Sequence, residues 1–326
     1  MLVFSAADFE DFRVARPDMP PEMEGELEDV IRILAQNRWP WRLHATYDET
    51  ISGALDVFEK VNQDTPLDGL HWFFDHAETI SDQSIDRIAA LGGGIAVQHR
   101  MAYQGEYFVQ RYGHGAAEAT PPVKKIIEKG VRTSAGTDAT RVASYNPWVS
   151  LAWLVTGKTV GGLRIYPQRN CLDRETALRM WTENVTWFSN EEGKKGRIEV
   201  GQLADLIVPD RDYFACAEAD IADTRSELTI VGGRVVYGAG EFAKLDESAP
   251  PPAMPDWSPA RTFRGYGAWG ERKESLALTM QAAQSCGCAN RCSVQGHDHA
   301  AAWTGTLPIA DLKSFWGALG CACWAV

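Results

Sequence analysis

The run LHWFFDHAE (residues 70–78) is short, aromatic and β-prone, and it ends in an acid and a histidine. A buried helix needs a longer apolar stretch, so the run reads as a strand. Three others share its character: WRLHA (41–45), GIAVQHR (94–100) and VRTSAGTDA (131–139). Helical sequence lies between them. In EMEGELEDVIRILAQN (22–37), Met23, Leu27, Val30, Ile31 and Leu34 fall on one helical face. A second helix is expected from about Glu49 to Asn62, with Leu55, Phe58 and Val61 inward. Ser81 is placed to cap a third, which stops at Gly92, Gly93 and Gly94. The triple glycine precedes a strand, which makes it a turn and not a phosphate loop.

After GIAVQHR an aromatic loop is expected, then a helix capped by Thr120 and Pro121 that ends at Gly130. NPWVSLAWLV (146–155) opens a further helix, and Asp173 caps another over DRETALRMWTENVTWF (173–188). Strands alternating with amphipathic helices imply βα units around a parallel sheet. From about Lys194 the pattern changes to short β segments, QLADLIV, LTIVGG and RVVYG. Beyond Gly240 the chain turns Pro- and Ala-rich, as in SAPPPAMPDWSP (248–259), which reads as a linker.

Composition excludes several function classes. The 326 residues are 45% hydrophobic and 23% charged, ordinary for a soluble globular protein. A net charge of −12 without a basic cluster argues against a nucleic-acid partner. No run approaches the roughly 18 apolar residues of a membrane span, so no membrane partner is expected. MLVFSAADFEDFRVARPD lacks the basic region of a signal peptide, and a cytoplasmic location follows as the expectation. Seven cysteines, an odd count, do not suggest a disulfide scaffold.

His44, His76 and Asp138 stand at or just past the carboxyl end of three expected strands. In a βα barrel that is the face where active sites assemble. Two imidazoles and a carboxylate suit Zn²⁺ or a similar divalent ion. One such histidine alone is more often a structural hydrogen-bonding residue than a ligand, and Asp138 alone could cap the following turn. Repetition at three strand ends weakens that bland reading considerably without displacing it. Arg100 and Arg141 follow strand ends closely, and with Tyr103 they are candidates to hold a substrate carboxylate or amide oxygen. Tyr107, Trp72 and Trp148 lie near the same ends, the tryptophans reading better as packing residues.

The tail holds a candidate second metal site: Cys286, Cys288, Cys292, His297, His299, Cys321 and Cys323. Thiolates and imidazoles together suit zinc, although C-x-C is not a zinc-finger spacing and redox-active thiols are an alternative. A circularly permuted barrel using His297 and His299 is disfavoured, because CGCANRCSVQ before them does not read as a buried strand.

LHATYDETI (43–51), FFDHAETI (73–80), AGTDA (135–139) and KKGRIEVGQLADLIV (194–208) resemble successive landmarks of amidohydrolase family 3, the branch of N-substituted formamide deformylase-like enzymes. The resemblance runs from about residue 1 to 240. It implies an α/β fold: the second half of a (β/α)8 TIM barrel, strands 5 to 8, over 1–190. Part of a small β-sandwich would follow over 191–245, then a linker and Cys/His-containing extension over 246–326. His44 and His76 would match the metal histidines of strands 5 and 6. Asp138 would match the strand 8 aspartate that binds metal and relays a proton.

The implied activity is metal-dependent hydrolysis of a non-peptide C–N bond in a small amide, formamide or cyclic amide, with a divalent cofactor, zinc by preference. The family's opening His-x-His does not occur before residue 40. We therefore expect Met1 to be an internal start of a longer protein, the isolated chain to be weakly active or inactive, and the chain to pair with its missing amino-terminal half or with itself. The alternative is a non-catalytic subunit or metal-binding interaction module. An ester or lactone hydrolase on the same scaffold is a third reading.

Overall fold

The computed structural model describes residues 19–139 and 143–246. Four strands, β1 (Trp41–Ala45), β2 (Trp72–His76), β3 (Gly94–Gln98) and β4 (Arg132–Gly136), form a parallel sheet in sequence order. Helix α1 (Pro21–Gln36) precedes β1, α2 (Asp48–Asn62) joins β1 to β2, and α3 (Asp82–Ala90) joins β2 to β3. Between β3 and β4 come α4 (Arg100–Tyr112), α5 (His114–Ala117) and α6 (Val123–Glu128). After β4 follow α7 (Pro147–Thr156), α8 (Arg174–Trp181) and α9 (Val185–Phe188). A separate antiparallel sheet contains β5 (Leu206–Pro209), β6 (Ser226–Val231) and β7 (Arg234–Gly238). The expected α/β class with a parallel sheet is thus observed. Among the described residues β1 pairs only with β2, and β4 only with β3.

Register assigns the two faces of the parallel sheet. Arg42, Phe73, Gly94 and Arg132 are aligned across it, and so are His44, Asp75, Ala96 and Ser134. Paired residues share a face, so these two rows lie on one side. The opposite side carries the core. Trp72, fully buried, stacks on Trp41 at 6.1 Å and meets Phe58 of α2 edge-on at 5.1 Å. Trp72 is therefore a packing residue and not a substrate contact. Trp148 is also buried, 5.8 Å from the Tyr213 ring.

Helix α2 turns Leu55, Phe58 and Val61 inward as the periodicity predicts, and all three are fully buried. On α1 the buried face is narrower than expected: Ile31 and Ala35 are enclosed, while Val30 is 52% exposed. Ser81 caps α3 by accepting from the Ser84 amide at 3.1 Å. Asp173 caps α8 through Thr176 N at 2.8 Å.

Three expectations are corrected. The aromatic loop after β3 is helix α4, where Met101, Ala102, Gly105 and Phe108 form the buried stripe. Gly105 there masks the helical signal, yet a Cβ at that position would lie 2.9 Å from the Ile165 side chain. Helix α6 starts at Val123 instead of following Thr120 directly. Thr120 gives its hydroxyl to Ala116 O at 2.6 Å, and a residue before proline resists helical geometry, so two prolines in succession push the start onward. The long helix from Asp173 is broken after Trp181, because Asn184 turns its side-chain amide to Thr133 O of β4 at 3.0 Å. Among the described residues no helix is long and apolar enough to cross a membrane.

Candidate metal centre

Strands β1 and β2 end side by side, and their last residues bring two imidazoles together. The rings of His44 and His76 meet edge to face, with centroids 4.3 Å apart and planes at 70°. The row that carries His44 has Asp75 beside it, whereas His76 belongs by alternation to the opposite row. His76 reaches its place because the chain leaves the strand in left-handed geometry, φ 81° at His76 and 55° at Ala77. Non-glycine residues adopt that region at a cost of order 1–3 kcal/mol, and such residues concentrate at functional sites. Asp138, just past β4, has φ 50° and is exposed.

Electrostatics keep both imidazoles neutral. Burial, with His44 and the Arg100 and Arg42 cations adding to it, lowers the His76 pKa to about 3. Desolvation lowers His44 too, against the opposing pull of Asp138. Neutral imidazole is the form that ligates metal. The Nδ1 of His76 is buried without a hydrogen-bond partner. This pair fits a borderline divalent ion in donor chemistry and protonation state. Among the described residues, no group of three His, Cys, Asp or Glu converges closely enough to hold one. The structure thus brings His44 and His76 together and leaves Asp138 apart from them as a ligand, though near enough to act on His44 by charge.

Three neighbours escaped sequence reasoning. Asp75 is buried, and Arg42 donates to it at 2.8 Å; burial nevertheless raises its pKa. Period-two alternation from Phe73 would have placed it beside His44. Glu78 is 1% exposed, and burial lifts its pKa to about 7 despite the Arg100 cation. Its place two residues past a candidate ligand, in DHAE, was its only signal. His99, fully buried at the end of β3, lies with Nδ1 3.4 Å from Gly136 O, and burial lowers its pKa.

A cleft of about 370 Å³ that includes His76 is lined by Arg42, Phe73, Asp75, Gln98 and Asp138, among others. Phe188 of α9 closes one side, its ring 4.7 Å from Phe73.

The predicted substrate residues fare differently. Arg100, the first residue of α4, is 2% exposed and acts on His44, His76 and Glu78 through its charge. Tyr103 is half-buried, its ring 5.7 Å from His99. Tyr107 is exposed. Arg141 lies outside the described residues, as do Cys286, Cys288, Cys292, His297, His299, Cys321 and Cys323.

A model described as "Amidohydrolase family" matches residues 1–237. Over 201 residues the chain is 30% identical to the N-substituted formamide deformylase of Arthrobacter pascens, covering 60% of this chain and 36% of that protein. It is 26% identical over 220 residues to an imidazolonepropionase of Treponema denticola, covering 65% of this chain and 46% of the relative. A solved structure, described as an uncharacterized metal-dependent hydrolase from Pyrococcus horikoshii, shares the fold with a TM-score of 0.52 at 23% identity, over 60% of this chain and 39% of that one. The chain thus spans less than half the length of these relatives. By the family model that covers most of its length, the chain belongs to amidohydrolase family 3.

Proposed function

We propose that the chain carries part of the active site of a metal-dependent hydrolase acting on a non-peptide C–N bond, in an amide, formamide or cyclic amide. The carrying observation is the pair of neutral imidazoles, 4.3 Å apart, at the carboxyl ends of adjacent parallel strands. In this reading β1 to β4 are strands 5 to 8 of a (β/α)8 barrel, and β5 to β7 belong to a small sandwich. His44 and His76 would hold a divalent metal, zinc by preference, and Asp138, which stands apart from them in this structure, would come in as the third donor when the ion is bound. A divalent ion held there would supply an acidified water and a Lewis acid for the scissile carbonyl. The Asp138 carboxylate accepts the proton of the attacking water and returns it to the leaving nitrogen. Arg100 and Tyr103 would contact the substrate, and Arg141, outside the described residues, keeps that role as a reading of the sequence. The relative named as an N-substituted formamide deformylase supports the C–N bond as the target.

Metal content of the purified chain tests this reading. His44→Ala/His76→Ala is expected to abolish zinc uptake, while Cys286→Ser/Cys288→Ser leaves it unchanged. Zinc retained in the first variant and lost in the second would sink the strand-end site. Assays on N-substituted formamides and cyclic amides then address the bond cleaved. A second reading, a non-catalytic module, draws on the absence of three converging ligands among the described residues. It gains if metal binds and none of these amides is hydrolysed.

A further inference from the structure

The chain turns back on itself immediately after β2. With His76 and Ala77 both left-handed, the side chain two residues beyond the histidine returns toward its ring, and Glu78 Oε1 lies 3.7 Å from His76 Nδ1. The turn is pinned to the end of β1 by two backbone bonds, Ala77 N to Ala45 O at 3.0 Å and Thr79 N to Thr46 O at 3.2 Å. Both side chains are enclosed, His76 at 4% and Glu78 at 1% exposure. His76 Nδ1 and both Glu78 carboxyl oxygens are buried without a hydrogen-bond partner. Buried polar atoms left unsatisfied are rare because each forfeits its hydration. Two kinds of orphan facing each other at this distance complement one another. The neighbouring Tyr166 hydroxyl does not compete, since it is committed to Thr120 O at 2.7 Å and Pro121 O at 3.0 Å.

We propose that Glu78 is a positioning residue for His76: its carboxyl accepts the Nδ1–H hydrogen bond and so leaves the Nε2 lone pair free to ligate. A small rotation of the carboxyl closes the gap. Ligating histidines generally donate their second ring N–H to a carboxylate or carbonyl, which fixes tautomer and ring orientation. The strained turn acquires a purpose in this account, because an ordinary strand exit would carry position 78 away from the ring. The inference rests on reading His76 as a ligand, and the test separates the two.

The ¹⁵N spectrum of the histidine-labelled full chain, without metal at pH 7.5 and assigned through His76→Ala, reports the tautomer directly. Wild type and Glu78→Gln are expected to hold His76 as the Nδ1–H form. Glu78→Met, similar in volume but without an acceptor, is expected to shift it toward Nε2–H with circular dichroism unchanged. Glu78→Ala serves as a second acceptor-free variant should Glu78→Met misfold. An Nε2–H form in wild type, or an unchanged tautomer in a folded acceptor-free variant, would overturn the proposal. Zinc titration should then show about 10- to 100-fold weaker binding in Glu78→Met, recovered in Glu78→Gln. Equal zinc affinity in the folded Glu78→Met variant also counts against Glu78. If wild type binds no zinc, the ligand reading of His76 fails, while the spectrum still decides the Glu78 contact.

Discussion

Arg42 Nε donates to Asp75 Oδ2 at 2.8 Å across β1 and β2, joining a solvent-facing cation to a buried carboxylate. Desolvation already raises the Asp75 pKa, and Arg42 is what opposes it. Arg42→Met should therefore destabilise the chain at pH 7.5 by roughly 1–3 kcal/mol, the cost of a buried group left unsatisfied. Removing the cation lifts the Asp75 pKa further, so the loss belongs to the ionised form and should shrink as acid protonates it. Urea denaturation at pH 7.5 and pH 4 measures both values. An equal loss at the two pH values would assign the effect to packing instead.

His76 and Glu78 should give stability two opposing pH arms. The folded pKa of His76 is depressed to about 3, so its contribution is present above the unfolded value near 6.5 and is lost as pH falls toward 3. Glu78 is raised to about 7, so its contribution is complete below the unfolded value near 4.5 and is lost as pH rises through 7. Glu78→Gln removes the second arm. Its stability relative to wild type should climb between pH 4.5 and 7.5 by roughly 3 kcal/mol, since each tenfold change in proton affinity is worth about 1.4 kcal/mol. A flat difference across that range would show that Glu78 ionises freely.

Two glycines should respond oppositely to alanine. A Cβ on Gly93 would lie 2.3 Å from the buried Trp72 ring, so Gly93→Ala should cost about 2–3 kcal/mol by overpacking. Gly25 sits inside α1 with nothing within 4 Å of its would-be Cβ, and Gly25→Ala should stabilise by about 0.5–1 kcal/mol. Thermal melts of the two variants beside wild type decide both signs.

Much of this architecture is legible in the sequence because local signals and burial agree. Phe58 and Trp72 are apolar at helical and strand positions that prove to be core, and Ser81 and Asp173 cap the helices they precede. Helix α4 escapes because Gly105 and a run of aromatic residues weaken its local preference, which packing on Ile165 overrides. The His44 and His76 pairing is foreseen from strand ends alone. The Glu78 approach is not, because it depends on two left-handed residues that nothing in DHAE announces.

Asp173 offers the cleanest test of a local signal. It accepts from Thr176 N at 2.8 Å and from the Thr176 hydroxyl at 2.7 Å. Asp173→Ala should cost about 1 kcal/mol. A urea midpoint unchanged by the substitution would mean that α8 is held by packing alone.

The parallel sheet has hydrogen-bonded neighbours on one side only of β1 and of β4 among the described residues. Exposed strand edges are templates for further pairing. Both rims run in the same direction, and a strand arriving at either can pair in parallel or antiparallel orientation. Protein concentration then enters the physics of this fold alongside temperature and pH, because rim groups that no segment of the chain covers can pair with other chains. A scattering or sedimentation series over concentration would register this coupling as association, even where a melting curve at one concentration looked simple.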